Sequence, residues 1–164
     1  MKTLFKFFLI FGFGLIMQTA FAELKIPVYN TGTGQSVGYI IAQDSQYGLL
    51  LTPHLFGLPP GIHGFHIHTD ASCSDHGMDA MGHLDPSHTG LHLGPYNPNG
   101  HLGDLPVLIV DSNGNATLPI LAPRLTLKII ENHAIMIHAG ADNYSDIPEK
   151  LGGGGARIAC GVIP

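Results

Sequence analysis

The chain has 164 residues, with seven Lys and Arg against twelve Asp and Glu, a formal net charge of −5. That length fits one domain and is short for two. The acidic balance argues against a nucleic-acid partner, which needs a basic surface.

Residues 1–22 read as a secretory signal segment and not as part of the fold. Lys2 and Lys6 make a positive start, and Phe7–Met17 is an apolar run too short to span a bilayer well. Ala20-Phe21-Ala22 is a small-x-small cleavage site. The expected domain is therefore 23–164, with no membrane attachment after cleavage; an uncleaved anchor is the alternative. This part keeps five basic and all twelve acidic side chains, a formal charge of −7. Its two cysteines, Cys73 and Cys160, read as a disulfide in an oxidising compartment. The loop it closes would stabilise the fold by roughly 4–5 kcal/mol in the chain-entropy model. A cysteine metal or thiol-redox pair is the weaker reading, since no C-x-x-C occurs.

Short apolar runs separated by Gly and Pro then follow, the pattern of an all-β protein with long connections. Lys25–Tyr29 reads as a first strand, with Pro27 suggesting a sheet edge. Thr31–Gly34 is a turn. Ser36–Gln43 and Gly48–Thr52 are strands, and Leu58-Pro59-Pro60-Gly61 is a stiff turn into Gly61–His68. Thr69–Asp104 shows no convincing strand or helix, and a structureless stretch of that length points to function. Leu105–Val110 is a strand, Asn113-Gly114 a hairpin signal, and Ala116–Leu121 the returning strand. Leu125–Ile130 fits a strand or a helical turn equally. Ala134–His138 is a strand, a second long loop runs to Ala156, and Arg157–Val162 is the last strand. Seven or eight short strands imply an antiparallel sandwich or barrel.

The histidines carry the chemistry. His66 and His68 are two apart, so on a strand they share one face while Phe65 and Ile67 share the other. His63 has the parity of Phe65 and reads as structural. The first long loop carries His83, His92, His101 and Asp104, each beside a glycine or turn. Three imidazoles and a carboxylate suit tetrahedral zinc in a closed, structural role. His66, His68 and His138 form an all-nitrogen set that favours Cu(II). If one loop histidine used both ring nitrogens it would join the two metals, and His83 is nearest in sequence. His54, His63, His76, His88 and His133 are left outside the site.

The stretches Gly61-Ile62-His63-Gly64-Phe65-His66-Ile67-His68, Gly82–Pro86, Gly100–Asp104 and Gly155–Val162 resemble copper/zinc superoxide dismutase. Asp142–Asp146 and Leu151–Gly155 resemble its bacterial, exported branch. The resemblance covers essentially all of 24–163. It implies an eight-stranded antiparallel Greek-key barrel with two long functional loops. It also implies one copper per subunit on His66, His68, His83 and His138, and one zinc on His83, His92, His101 and Asp104. His83 becomes the bridge, Asp142 the carboxylate behind one histidine of each metal, and Cys73–Cys160 the family disulfide. Arg157 becomes the group that binds and guides the anion superoxide; apart from the resemblance, Lys150 is a candidate second contributor by its charge. The implied location is the periplasm, and the implied assembly a homodimer, with a monomer as the alternative. A copper-buffering protein and a structural zinc domain are the competing functional classes; the first would take up copper without turnover, and the second leaves His66, His68 and His138 unexplained.

Overall fold

The computed structural model describes residues 22–164, so residues 1–21 of the expected signal segment lie outside the described residues. Strands β1 (Glu23–Asn30), β2 (Ser36–Ser45) and β3 (Gly48–Leu55) form an antiparallel meander. There follow β4 (Gly61–His63), β5 (Phe65–His68), β6 (Leu108–Val110), β7 (Ile120–Ala122), α1 (Leu127–Ile130), β8 (Ala134–His138) and β9 (Arg157–Val162). Seven strands make one sheet in the order β5-β8-β9-β1-β2-β3-β7, and β4 pairs with β6 in a second. With the histidine stretch counted once, this is the expected eight-stranded antiparallel barrel.

The barrel closes on its apolar side chains. Ile26 and Val28 of β1, Leu49, Leu51 and Leu55 of β3, and Ile135 and Ile137 of β8 alternate along their strands and share one core. Pleating sends alternate residues to opposite faces, so this alternation buries one face of each strand. Phe65 and Ile67 join the same core, which turns His66 and His68 to the other side of β5. A second, smaller cluster (Ala80, Ala134, Met136 and Cys160, with Cys73 against it) covers the outer side of β8. The Cys73–Cys160 disulfide, Cα–Cα 5.7 Å, fastens the first long loop there.

Four local expectations change. Pro27 is not at a sheet edge, since β1 lies between β2 and β9. However, β9 pairs only with Tyr29 and Asn30, so the proline sits where β1 has a ladder on one side. Asn113-Gly114 does turn the chain, but β6 pairs with β4 and β7 with β3. The returning strand begins only at Ile120, after Pro119, which has no N–H to give a ladder. The first long loop contains a kinked 3-10 turn at Asp75–Ala80, and Leu127–Ile130 is a single helical turn. Finally, the histidine strand breaks at Gly64, whose N–H donates to Gly140 O at 2.8 Å and whose carbonyl accepts His138 N–H at 2.9 Å. The strand thereby leaves one sheet as β4 and enters the other as β5.

Ile67 is fully buried between the two histidines of β5. Ile67→Ala should lower stability by about 2–5 kcal/mol, the usual cost of an aliphatic truncation in a core. The check is a denaturant midpoint on the metal-free protein, with the slope unchanged.

Candidate metal centre

Ladder register assembles the strand half of the site. Phe65 faces Ile137 and His66 faces Met136 across β5 and β8. On the other side of β8, a bulge after Ile137 sets His138 opposite Arg157. Isolated bridges between His66 and Asp104 and between His68 and His83 attach the first long loop to β5. One ligand atom from each of His66, His68, His83 and His138 lies within 4.8 Å of the others. The same spacing holds for His66, His83, His92 and Asp104. His66 and His83 are thus common to both groups. His101 stands at the margin of the second, its Nδ1 3.5 Å from Asp104 Oδ1, while His66 occupies the tighter grouping. None of His54, His63, His76, His88 or His133 belongs to either group.

Two carboxylates organise the rings. His83 Nδ1 lies 2.9 Å from Asp104 Oδ1, and His92 Nδ1 lies 3.0 Å from Asp104 Oδ2 without the alignment of a hydrogen bond. Asp142 takes His66 Nε2 on Oδ2 at 2.7 Å and His92 Nε2 on Oδ1 at 2.8 Å. Tyr144 N–H donates to Asp142 Oδ1 at 2.7 Å. Gly152, at φ +75°, closes over this carboxylate, and a Cβ there would fall 1.9 Å from Asp142 Oδ1. Only glycine satisfies both the left-handed backbone and the space.

The electrostatics separate the two groups. Burial, then the neighbouring His83, pushes His66 down to about 3 and His68 down to about 2. Burial likewise lowers His138 to about 4, and it lowers His83. These imidazoles are neutral at neutral pH and keep a lone pair. Burial opposes charge on His92 too, but the two carboxylates beside it, Asp104 and Asp142, outweigh that and lift it to about 9. Burial would raise Asp104 and Asp142, yet imidazole hydrogen bonds hold both far below the usual carboxylate range.

The residues fit metal ions. Among the described residues, Nδ1 of His66, His92 and His101 are buried with no hydrogen-bond partner. A buried unpaired polar atom costs about 1–3 kcal/mol, which coordination removes. Neutral imidazoles without thiolate suit Cu(II), and imidazoles with a carboxylate suit Zn²⁺.

The first group opens into a cavity of about 320 Å³ whose lining includes His68, His83, His138, Met78, Lys150 and Arg157. Arg157 donates from Nη1 to the carbonyl of Gly77 and from Nη2 to that of Met81, the latter at 2.6 Å. Its guanidinium is held at the wall beside His138.

Several supports were not singled out from sequence. His63, read as structural, is buried, with its ring nitrogens 2.8 Å from the carbonyls of His138 and Pro59. It grips the main chain of a candidate ligand. Asp146 accepts His92 N–H at 2.9 Å and Leu151 N–H at 3.1 Å, tying the two long loops together. Arg124 donates to the carbonyls of Asn97 and His101. Asp146 lies in a stretch already marked by resemblance; Arg124 carried no signal beyond being one of few basic residues.

A family model described as copper/zinc superoxide dismutase (SODC) matches residues 37–163. The Cu-Zn superoxide dismutase of Photobacterium leiognathi is 51% identical over 160 residues, covering 93% of this chain and 92% of its own. Among solved structures, the Cu/Zn superoxide dismutase from Brucella abortus aligns with a TM-score of 0.82 at 41% identity, covering 87% of this chain and 100% of that one. The monomeric copper, zinc superoxide dismutase from Salmonella enterica aligns with a TM-score of 0.76 at 50% identity, over 87% of this chain and 100% of that one. A match that runs through the core strands and both long loops leaves one assignment: the chain belongs to the copper/zinc superoxide dismutase family.

Proposed function

We propose that the protein dismutes superoxide to oxygen and hydrogen peroxide in the periplasm. Copper is held by His66, His68, His83 and His138, and zinc by His83, His92, His101 and Asp104. The observation that carries this reading is His83: it and His66 both lie in the two close groups, but Asp142 takes up His66 Nε2, so His83 is the one with both ring nitrogens left for them. Its Nδ1 faces Asp104, which leaves Nε2 for the group of His68 and His138. When bound, copper supplies the one-electron redox cycle, and zinc, which has none, supplies fixed charge and structure.

The chain's own residues do the rest. Asp142 orients His66 and His92 from behind, the usual task of a carboxylate that takes the second ring N–H of a ligand histidine. His83 Nε2 is placed to hold the proton that peroxide needs. Arg157, fixed by loop carbonyls, receives the anion. Lys150 and Arg157 both line the cavity, and no carboxylate does. A cationic cleft in a chain of formal charge −7 after cleavage concentrates a small anion against the average field. Removal of residues 1–22 and export of 23–164 agree with the disulfide, which persists in oxidising compartments.

An uncharged outer face supports the homodimer over the monomer. Ile62 and Ile109 are half exposed and directly paired across β4 and β6. Beside them a hollow of about 320 Å³ is lined by Tyr96, Pro106, Val107, Ile109, Leu118, Pro119, Ile120 and Leu121, with no charged residue. Acidic chains repel, so two copies meet best where neither carries charge.

His138→Ala should lose copper and reduce superoxide decay to the uncatalysed rate while zinc is retained, read by metal analysis and decay kinetics; undiminished turnover would remove His138 from the site. Lys150→Glu should slow decay several-fold at low salt. The difference should shrink as salt shortens the Debye length to about 10 Å at 0.1 M, and equal rates at low salt would end its steering role. Sedimentation should give twice the mature mass for the parent and the monomer mass for Ile109→Glu; a monomeric parent would put the protein with the Salmonella relative.

A further inference from the structure

We infer that Arg124 is a positioning residue for the zinc side of the centre: by holding the main-chain carbonyls of Asn97 and His101 it fixes His101, and with it Asp104, where a metal meets them. The inference rests on the assignment of zinc to His83, His92, His101 and Asp104.

The segment 95–101 makes no ladder. Within it, Gly100 N–H reaches Asn97 O at 3.4 Å and Asn99 N–H reaches Asn97 Oδ1 at 3.0 Å. His101 N–H donates to Leu91 O at 2.9 Å, again inside the loop. Among the hydrogen bonds of the described residues, the two from Arg124 are those that tie this segment to the barrel. His101 is thereby gripped at both ends of its own main chain, by Leu91 at the N–H and by Arg124 at the carbonyl. Its ring Nδ1, buried and unpartnered, is left 3.5 Å from Asp104 Oδ1.

Arg124 can do this because the turn that carries it is rigid. β7 ends at Ala122, paired with Leu49. Leu125 N–H donates to Ala122 O at 3.2 Å, and the Leu125 side chain is buried in the core. Pro123 backs directly onto Gly48, where a Cβ would come within 2.5 Å of Pro123 Cα. The planar guanidinium offers two donors in a fixed fork, which suits two carbonyls; a lysine offers a single point of charge. The Asp104 carboxylate also attracts it electrostatically.

The test follows transfer of zinc from the metal-loaded protein to a chromophoric chelator, and the ligand-field spectrum after cobalt(II) replaces zinc. Arg124→Gln should bind zinc on the order of tenfold more weakly, the lower end of what loss of a supporting contact costs a metal site. Its cobalt bands should shift while the visible copper absorption stays as in the parent. Arg124→Lys, which keeps charge and one carbonyl, should fall between the two, and it decides the matter if the Gln variant does not fold. Zinc retention within twofold of the parent with an unchanged cobalt spectrum overturns the role of Arg124, as does parallel weakening of copper and zinc with the stability of the metal-free fold. A parent that binds no zinc overturns the underlying assignment, and this inference with it.

Discussion

One carboxylate joins the two halves of the centre. Asp142 has an oxygen for His66, which comes from a barrel strand, and an oxygen for His92, which comes from a long loop. Neither ring can turn without breaking a charge-assisted bond in a buried setting, where such bonds are strong and unpaired groups are costly. Asp142 is itself held by Tyr144 N–H and roofed by Gly152. The second long loop is therefore organised around a carboxylate, and the carboxylate around two imidazoles.

The same logic explains how so much irregular chain stays ordered. The first long loop has no strand ladder of its own, yet it is fastened at the disulfide, at the bridges to β5, at Asp104 and at Asp146. The bridges, Asp104 and Asp146 all end on candidate ligands, and the disulfide ends on β9, the strand that carries Arg157. Arg157 shows the economy of the arrangement. Carbonyls of the 3-10 turn fix its guanidinium, and that turn is packed against β8 and β9 through the small cluster at the disulfide.

Burial and charge then divide the work. The group facing the cavity consists of neutral imidazoles, lowered by desolvation and by one another. The group behind it has Asp104 and Asp142 against His92, which favour a positive charge there, and a metal ion would supply that charge in place of a proton. The cavity that holds Lys150 and Arg157 opens onto the neutral group, while the carboxylates of Asp104 and Asp142 are not in its lining.

Much of this was legible in the chain. The alternation of Phe65 and Ile67 with His66 and His68, the spread of His83, His92, His101 and Asp104 along a loop, and the cysteine pair are local patterns with local meanings. Strand parity decides which side chains share a face, and turn chemistry decides where strands stop. The partner of a strand is not local. Asn113-Gly114 signals a hairpin, but the chain crosses between sheets, because the apolar face of Ile120–Ala122 finds its match on β3. The sequence assigned no contact to Arg124 or Asp146, since nothing near them says that the carbonyl of His101 or the amide of His92 will lie within reach. The sequence by itself determined the all-β character, most of the strands and the cysteine pair, and it put the ligand types forward. Only the tertiary structure decided that His66 turns its second nitrogen to Asp142 while His83 turns one to Asp104, that Arg157 faces His138 across a bulge, and which main-chain atoms the supporting charges hold. Those distances depend on ladder register and on contacts between residues far apart in the chain, which no local pattern encodes.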